Sequence, residues 1–427
     1  MDYPEARSQL KSLPTCVKPG LDRINRLLDA LDHPELQFPA IHVAGTNGKG
    51  SVVAMLAAVL SAAGYRVGRF TSPDLLDFRD RIEVDGNWIP KDRLAAGVER
   101  LGPLLSSGDD LPTEFEVLTA LAFSHFADEM VDIAVVEVGL GGRYDATNAV
   151  RSVLSILTNV GRDHTDLLGT ELEKIAWEKA GIAKPGVPLL VGAVPPEVLP
   201  VVEGVVHDAG AQIVPVDITV EEVSRDLSGA VYRILGNDVP EEVGIPLIGG
   251  YERENLRLVI AAIHRLRDMG WEIADAAVHT GLEQVFWPGR FEVVGQAPLI
   301  VLDGAHNPPG ARALAQDVER LFPRKDQRTL LFGILRDKEI DAVCDALFPR
   351  FSRVVLTRSR SPRAVPAEDL LPFARRHGVE TSIAESVEEG IELAREELTP
   401  NGAVLIAGSL TVVKEARRSL VEERCAS

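Results

Sequence analysis

The sequence predicts an α/β fold built on mainly parallel sheets, because short apolar runs alternate with helical patterns along the whole chain. The runs are apolar nearly throughout, which is typical of strands that are buried on both faces. They fall at residues 41–44, 133–138, 153–157, 189–191, 299–302, 329–332, 354–357 and 404–407. Between residues 214 and 248 the segments are shorter and more polar, which indicates a small antiparallel addition.

The 427 residues are enough for two or three domains. We place a boundary in VFWPGR, residues 285–290, where a Pro-Gly pair follows a helical stretch and a new alternation of strands and helices begins. The prediction is a large domain over residues 1–286 and a smaller α/β domain over residues 287–427. Two such domains leave a crevice between them, and a crevice of that kind commonly holds a ligand.

The composition argues against two classes of partner. With 64 acidic and 45 basic residues the net charge is -19, whereas nucleic acids and anionic membranes bind basic faces. Small anionic substrates are not excluded, because they bind to local groups of basic residues and helix N-termini. Three scattered cysteines, a polar N-terminus and a proline-broken apolar region at 187–206 favour a soluble, cytoplasmic protein. We expect a monomer.

The stretch IHVAGTNGKGSV, residues 41–52, has the layout of a phosphate-binding loop, with an apolar strand, a glycine-rich turn and an apolar helix. Backbone N–H groups in such a turn can surround an anion. Lys49 can reach the terminal phosphates, and the Ser51 hydroxyl can bind Mg²⁺. Gly50 separates these two residues, which are adjacent in the usual form of the loop. A plain strand-to-helix turn is the alternative, but Gly-Lys-Gly-Ser is uncommon in that position.

Further polar groups follow two other predicted strands. Glu137 stands late in the apolar run of DIAVVEVGLGGRYDATN, and Asp163-His164 follow the run of VLSILTNVGRDHTDLLG. In open α/β sheets ligands gather at the carboxyl ends of the strands, and a carboxylate within an apolar strand is costly without a partner. The alternatives are a salt bridge from Glu137 to Arg143 or another basic residue, and a purely structural His164.

Nine motifs in a fixed order carry a resemblance to a known family. From about residue 20 to its end, the chain resembles the folylpolyglutamate synthase/dihydrofolate synthase family, relatives of the murein peptide ligases. The extra glycine of the loop is the form that these ligases use. The motifs are HVAGTNGKGSV, FTSPDLLDFRDRI, TEFEVLT, VEVGLGGRYDATN, DHTDLLG, IAWEKAGIAK, WPGRFE, DGAHNP and AGSL.

The resemblance implies a fold, a reaction and its reactants. The fold is a Mur-ligase-like central domain that carries the phosphate-binding loop, followed by a smaller Rossmann-like α/β domain. The γ-phosphate of ATP goes to a carboxylate of dihydropteroate or of a reduced folate, and the amine of L-glutamate then displaces phosphate to form an amide. Members of bacterial type often have both activities, so we expect both here.

The resemblance also indicates the nucleotide, metal and catalytic residues. One Mg²⁺ would bind Ser51, Ser72 and Glu137. A second would bind Glu137, His164 and Lys179, the last as a carbamate formed with CO₂. Taken from the sequence alone, Lys179 is a solvated lysine on a helix face. The residues expected at the nucleotide are Asn47, Gly48, Lys49, Gly50, Ser51, Asn255, Arg290 and Asp303. The residues expected in catalysis are Lys49, Lys179, Arg290 and His306.

A pterin-binding pocket is expected around the ring of Phe115, although a lone phenylalanine beside a helix is more often part of a core. A second part of the pocket includes Tyr144, where the family more often has leucine. The residues expected at the substrate are Gly20, Leu21, Asp22, Thr113, Glu114, Phe115, Glu116, Tyr144, Asp145 and Ala146.

Besides Tyr144, three residues depart from the family pattern. Asp74 stands where histidine is more usual, Asp80 where glutamate is more usual, and Glu252 where glutamine is more usual. The first two fall on a loop expected near the folate and the metal, so they bear on substrate preference.

Two other functions share part of this pattern. A murein peptide ligase has the same loop and chemistry but usually carries a further domain before the loop, where this sequence has only about forty residues. A nucleotide-dependent binding module would have the loop without a use for Glu137, His164 and Lys179 together. Independently of function, Arg290 could be an ordinary surface charge, and Asp303 could be a helix N-cap next to a solvent-facing His306.

Overall fold

The computed structural model of the chain describes residues 1–14, 18–106, 110–236, 241–396 and 398–422. Cys16 and Cys425 lie outside these residues. All eight predicted strands are present within two residues of their expected bounds, and the mainly parallel α/β class is confirmed. The predicted antiparallel addition is confirmed as well.

In the described part of the chain, the first sheet has eight strands. They are β1 (Ala40–Ala44), β2 (Val67–Phe70), β3 (Ile82–Val84), β4 (Asn87–Trp88), β5 (Ile133–Glu137), β6 (Ser152–Asn159), β7 (Pro188–Ala193) and β8 (Gln212–Val214). Their order in space is β4-β3-β2-β5-β1-β6-β7-β8. The pairs are parallel except at the edge, where β3 runs antiparallel to both β2 and β4. The central strands β1 and β5 are buried along their whole length, which explains their apolar sequences.

Helices accompany these strands in the alternation that the sequence predicts. They are α1 (Tyr3–Ser12), α2 (Asp22–Asp29), α3 (Lys49–Ala62), α4 (Lys91–Leu105), α5 (Glu114–Asp128), α6 (Thr165–Leu168), α7 (Leu172–Ala180) and α8 (Leu199–Asp208). A short 3₁₀ helix, Phe78–Arg81, precedes β3.

A three-stranded antiparallel sheet follows, with β9 (Thr219–Asp226), β10 (Gly229–Leu235) and β11 (Glu241–Ile245) in the order β11-β10-β9. It packs against α9 (Glu252–Asp268) and α10 (Asp275–Gln284). Helix α3 is apolar on nearly every side because it lies between the first sheet and these two helices.

The second large sheet has the strands β12 (Glu292–Gln296), β13 (Leu299–Leu302), β14 (Arg328–Phe332), β15 (Arg353–Leu356), β16 (Glu380–Ile383) and β17 (Ala403–Ala407). Their order is β12-β13-β17-β14-β15-β16, and only the pair β12–β13 among the described strands of this sheet is antiparallel. Its helices are α11 (Pro308–Leu321), α12 (Ile340–Leu347), α13 (Leu371–Arg376), α14 (Val387–Arg395) and α15 (Leu410–Arg417). The division into domains over residues 1–286 and 287–427 stays a prediction.

A helix that crosses a bilayer needs a length of about 20 mostly apolar residues. Within the described ranges, no helix combines that length with sufficient apolar character to cross a membrane.

Candidate active site

A cavity of about 850 Å³ lies between the two large sheets. The first sheet contributes the loops after β1, β2, β5 and β6, and the second contributes the loops after β13, β14, β15 and β17. These loops follow the carboxyl ends of parallel strands, which is where open α/β sheets bind ligands. The predicted site residues all line this cavity except four, which are Gly20, Leu21, Asp22 and Lys179.

Neither of the two glycines that flank Lys49 has room for a side chain, because other residues lie too close. Gly48 has a φ of +80°, and a Cβ at that position would lie 2.2 Å from Oδ1 of Asn255. A Cβ at Gly50 would lie 2.4 Å from the ring of Trp287, in the segment that leads to the second sheet. The glycine that makes this loop unusual therefore leaves room for a tryptophan. Its backbone conformation does not require it, because Gly50 has no positive φ.

The loop is held from the side by the end of β6. The side-chain oxygen of Asn159 accepts hydrogen bonds from the N–H groups of Asn47 at 2.9 Å and Thr46 at 3.2 Å. The Thr158 hydroxyl donates to the carbonyl of Asn47 at 2.6 Å. Because these bonds already order the backbone of the loop, the loop loses less conformational entropy when it binds an anion.

The ammonium group of Lys49 is turned toward its own loop. It donates to the carbonyl oxygens of Gly45 at 3.2 Å and Thr46 at 3.4 Å, and it lies 4.0 Å from Oε1 of Glu137. These are weak contacts for a half-buried cation, so Lys49 can exchange them for an anionic ligand in the cavity.

Glu137 ends β5 and is buried against the loop. Burial raises the pKa of its carboxyl group, while Lys49 and a hydrogen bond from the backbone N–H of Ser72, at 3.2 Å, oppose that rise. The alternative salt bridge to Arg143 does not form, because the Arg143 guanidinium lies 3.7 Å from the ring centre of Trp177. Glu137 is thus a buried carboxylate whose only ion-pair partner within 4.0 Å, among the described residues, is the weakly placed ammonium group of Lys49.

Ser51 is fixed by the unusual residue of the motif GGYERENL. Its hydroxyl donates to Oε1 of Glu252 at 2.8 Å, and the side-chain N–H of Asn255 donates to Oε2 at 2.8 Å. Burial raises the pKa of Glu252 to about 7. A carboxylate accepts both bonds, whereas a glutamine in the same position would present its NH₂ group to one of the two donors.

A buried ion pair joins the loops of the two large sheets. Asp163, after β6, lies 2.7 Å from the ammonium group of Lys338, after β14, and both side chains are only 6% exposed. Asn307 donates to the same carboxylate at 2.9 Å, and Nε2 of His306 lies 3.4 Å from it. Burial alone would raise the pKa of Asp163, but the hydrogen bond to His306 and the charges of His306 and Lys338 hold it well below its usual range.

Asp163→Asn is expected to lower the free energy of unfolding by about 3 kcal/mol, because it leaves the buried Lys338 ammonium group without its carboxylate. Chemical denaturation monitored by circular dichroism measures this change. Asp166→Asn, three residues further on and exposed, is the control and should have no effect. Adding Lys338→Met to Asp163→Asn should restore part of the loss, and a double variant no more stable than the single one would contradict this account.

His164 adopts a φ of +51° beside this ion pair. Burial lowers the pKa of its imidazole to about 4, against the opposing charge of Asp163. The ring is therefore neutral near pH 7 and retains a nitrogen lone pair, the state in which histidine binds metal ions.

Lys179, near the end of α7, is buried beneath the phosphate-binding loop and is only 4% exposed. Its ammonium group donates to the carbonyl of Gly45 at 3.0 Å. Burial, followed by the charge of Lys49, lowers its pKa to about 7. The interpretation from sequence alone, a solvated lysine on a helix face, is wrong, because α7 turns this side chain toward the loop.

The ring of Phe115, at the start of α5, forms an aromatic wall of the cavity. It lies 5.9 Å from the ring of Phe70, and a Cβ at Gly139 would lie 2.4 Å from it. Tyr144 stands at the mouth, 44% exposed and 6.3 Å from the ring of Trp177. One side of Phe115 thus belongs to the core and another faces the cavity.

Three of the expected substrate residues also fix local structure. Thr113 and Glu116 form a capping box at the start of α5, and Arg23 holds the carboxylate of Glu116 at 3.0 Å. Asp145 accepts a hydrogen bond from the backbone N–H of Leu140 at 2.8 Å. Burial raises the pKa of Asp145, and its hydrogen bonds oppose that rise.

The expected lip residues lie beside the cavity. Leu21 is the N-cap of α2 and Asp22 is its first residue, whereas Lys18 and Pro19 line the cavity in that region.

Asp303 is not a helix N-cap, a role that Asn307 takes for α11. Instead it accepts hydrogen bonds from the backbone N–H of Phe291 at 2.9 Å and from the Tyr251 hydroxyl at 3.2 Å. Arg290 lines the cavity nearby, so it is not an ordinary surface charge.

Comparison with known proteins agrees with this geometry. The Mur ligase middle domain matches residues 43–263, and the Mur ligase glutamate ligase domain matches residues 289–410. The chain is 36% identical to the dihydrofolate synthase/folylpolyglutamate synthase of Bacillus subtilis, covering 98% of this chain and 99% of the relative. The chain belongs to the folylpolyglutamate synthase/dihydrofolate synthase family.

Solved structures extend this family relationship to the whole fold. A complex of Escherichia coli FolC with DHPP and ADP has a TM-score of 0.89 and 29% identity, covering 99% of both chains. The folylpolyglutamate synthase of Mycobacterium tuberculosis complexed with ADP and AMPPCP has a TM-score of 0.89 and 34% identity, covering 98% of both. The motif resemblance, the predicted fold class and the enzyme class, an ATP-dependent ligase, are confirmed.

The folylpolyglutamate synthase/dihydrofolate synthase family implies Mg²⁺, and the donor groups of this cavity fit that ion. They are the Ser51 hydroxyl, the Glu137 carboxylate and the neutral imidazole of His164. Across the described ranges, no three His, Cys, Asp or Glu side chains form a metal site by themselves. Because Mg²⁺ usually completes its shell with water and substrate phosphates, this sparse set suits an ion that binds together with a nucleotide.

Sequence reasoning missed several cavity residues of this family member. Asn159 left a weak signal, as a polar residue at the end of an apolar strand. Lys338 left none, because its partner Asp163 is 175 residues away in the chain. Arg81 stood in a quoted motif without any role.

Proposed function

We propose that this chain joins L-glutamate to dihydropteroate and to reduced folates, using ATP and an acyl-phosphate intermediate. The observation that carries the proposal is one cavity that contains the phosphate-binding loop, the aromatic wall of Phe115 and the strand ends of the second sheet. The names of the relatives support these substrates, since they include both dihydrofolate synthase and folylpolyglutamate synthase. We place the nucleotide chemistry in residues 1–286 and the binding of glutamate mainly in residues 287–427.

In the first step, an oxygen of the substrate carboxylate forms a bond to the γ-phosphorus. The bond from that phosphorus to the bridging oxygen breaks, and ADP leaves. The loop N–H groups around Asn47 to Ser51 hold the phosphates, and Lys49 moves its ammonium group from the loop carbonyls to the transferred phosphoryl group. Mg²⁺ held by Ser51, Ser72, Glu137 and His164 would neutralise charge on the phosphate oxygens.

In the second step, the amine of L-glutamate forms a bond to the acyl carbon. The bond from that carbon to the phosphate oxygen breaks, inorganic phosphate leaves, and the nitrogen loses a proton. Arg290 is directed to the phosphates, and Asp303 and His306 lie on the side from which glutamate enters. Asn255 orders the loop through Gly48 and contacts the nucleotide.

The pterin is held at the Phe115 end of the cavity. Thr113, Glu114 and Glu116 surround the ring from α5, and Tyr144, Asp145 and Ala146 do so from the loop after β5. Gly20, Leu21 and Asp22 support the lip of this pocket from behind Lys18 and Pro19.

Phosphate release from ATP and Mg²⁺ tests the proposal, with glutamate present and with dihydropteroate or tetrahydrofolate offered in separate tubes. We expect release in both tubes, and only when glutamate and the acid are present together. If ATP is hydrolysed or bound to the same extent without glutamate and without the acid, the protein would instead be a nucleotide-dependent binding module. Activity with a murein precursor and with neither pterin acid would identify a murein-type ligase.

We further propose that Lys179 carries a carbamate. Only a neutral amine adds CO₂, and burial that lowers the pKa of Lys179 to about 7 leaves much of this amine neutral at pH near 7. With CO₂ and Mg²⁺ supplied, native mass spectrometry should show an increment of about 44 Da, that of one added CO₂.

Lys179→Ala should lack this increment. Lys184→Ala is the matched control, since burial also lowers the pKa of Lys184, to about 8, and this variant should keep the increment. An equal increment in the Lys179→Ala variant would place the modification elsewhere.

A further inference from the structure

Arg81 is a buried arginine that forms no ion pair with any of the residues that the structure describes. It ends the 3₁₀ helix Phe78–Arg81, is only 8% exposed, and its Nε atom has no hydrogen-bond acceptor. Within the described residues, its guanidinium contacts only two rings, those of Phe78 at 6.0 Å and Phe115 at 5.6 Å. A buried guanidinium normally has hydrogen-bonded carboxylates around it, because an isolated buried charge is costly.

Two nearby arginines, one buried and one partly buried, show how the same part of the chain pairs a guanidinium with a carboxylate. Arg23 lies 3.0 Å from the carboxylate of Glu116, and Arg69 pairs with the carboxylate of Glu83. Arg81 is as well buried as Arg23 yet has no such neighbour.

The carboxylates closest to Arg81 are all engaged with other groups. Asp74 forms an ion pair with Lys414, across to the second sheet. Asp80 accepts the backbone N–H groups of Leu75 and Leu76 at 2.9 and 2.6 Å. Glu114 lies 3.8 Å from a guanidinium nitrogen of Arg7. None of them forms a hydrogen bond or ion pair with Arg81 in the described structure, so its guanidinium can accept a ligand carboxylate as its partner.

The guanidinium faces the reaction end of the cavity. Arg81 lines that cavity, and its backbone carbonyl accepts from the N–H of Thr71, the residue before Ser72. Its charge also acts on the carboxyl group of Glu137. A ligand group at this point would lie beside the proposed Mg²⁺ residues and along the aromatic wall of Phe115.

We propose that Arg81 binds the carboxylate of the pterin-bearing acid, the group that receives the phosphoryl group. This inference rests on the proposed function. The planar guanidinium presents a fork of N–H donors that matches a carboxylate, and both partners would be shielded from water. The contact holds the attacking oxygen near the phosphates, and it distinguishes an acid from a neutral analogue of the same shape.

The test compares the binding of dihydropteroate with that of its primary carboxamide, measured by calorimetry without glutamate. Wild-type protein should prefer the acid by about 10- to 100-fold, the usual strength of a charged hydrogen-bonded contact. Arg81→Gln should bind the two ligands with nearly equal affinity. Arg79→Gln is the control, since Arg79 lies on the same short helix and pairs with Asp77, and this variant should keep the full preference.

If Arg81 had only a structural role, Arg81→Gln would lower the affinity for both ligands equally and the preference for the acid would remain. That result would overturn the inference. A raised KM for glutamate with an unchanged preference for the acid would also overturn it. If thermal unfolding shows that Arg81→Gln is not folded, the same binding comparison is made with Arg81→Lys. A preference of Arg81→Lys for the acid over the carboxamide that equals that of wild type would count against the proposal. Wild-type protein that binds neither ligand and releases no phosphate would instead show that the proposed function itself fails.

Discussion

Lys49→Ala is expected to abolish turnover, with kcat lowered by about 10³-fold, while the protein stays folded. The ammonium group of Lys49 is the cation nearest the Glu137 carboxylate in the described structure, and its present partners are two loop carbonyls at 3.2 and 3.4 Å. It can therefore follow the phosphoryl group as charge moves during transfer. Phosphate release under saturating substrates measures kcat, and thermal unfolding monitors the fold.

The matched control for this prediction is Lys174→Ala. Lys174 is a mostly exposed lysine on α7 that pairs only with Glu171 on the surface, so its loss should leave kcat unchanged. Near-normal activity of Lys49→Ala would contradict the proposal that this loop binds the phosphates. A large drop in its unfolding temperature would show that the lysine acts mainly on stability.

Glu137→Gln is expected to lower activity strongly without lowering the stability of the fold. Turnover should fall by about 10³-fold, because the ion loses a ligand that contributes several kcal/mol to the transition state. Stability should stay constant or rise, because burial raises the pKa of Glu137 and its ionised form is therefore disfavoured in the folded state.

The pH dependence of unfolding gives this prediction a second measurement. A carboxyl group whose pKa is raised on folding binds more protons in the folded state, so its contribution to stability falls as pH rises above its usual value of 4.5. Glu137→Gln lacks that contribution, and the stability difference from wild type should grow in favour of the variant between pH 4.5 and neutrality.

Glu83→Gln is the control for Glu137→Gln, since it removes another buried carboxylate of the same sheet, where Arg69 provides a strong ion pair. It should destabilise the protein and spare turnover, the reverse pattern. If Glu137→Gln were destabilised and active in the same way, Glu137 would be a structural residue.

Strands could be predicted from the sequence where burial on both faces makes most of their residues apolar. The central strands β1 and β5 are buried along their whole length and are mostly apolar, and all eight predicted strands formed. The edge strands β3 and β4 were missed because they are only three and two residues long and carry polar residues such as Glu83. A strand of two or three residues is too short to show a periodicity that could be detected.

The candidate site also has some features that the sequence could predict and others that it could not. The phosphate-binding loop is local in sequence, so its glycines and Lys49 could be identified from spacing. The burial of Lys179 depends on how α7 packs beneath that loop, which no local pattern records. The pairing of Asp163 with Lys338 and the lack of a partner at Arg81 are properties of the tertiary structure. They became visible only when the neighbours of each side chain were known.

The contact between Gly50 and Trp287 constrains how this sequence can change over evolution. The indole ring occupies the volume that any side chain at position 50 would require. A relative that replaces this glycine has to carry a smaller residue at 287 or shift the connecting segment. The two positions should therefore vary together among homologues, and a lone substitution at either one should be rare.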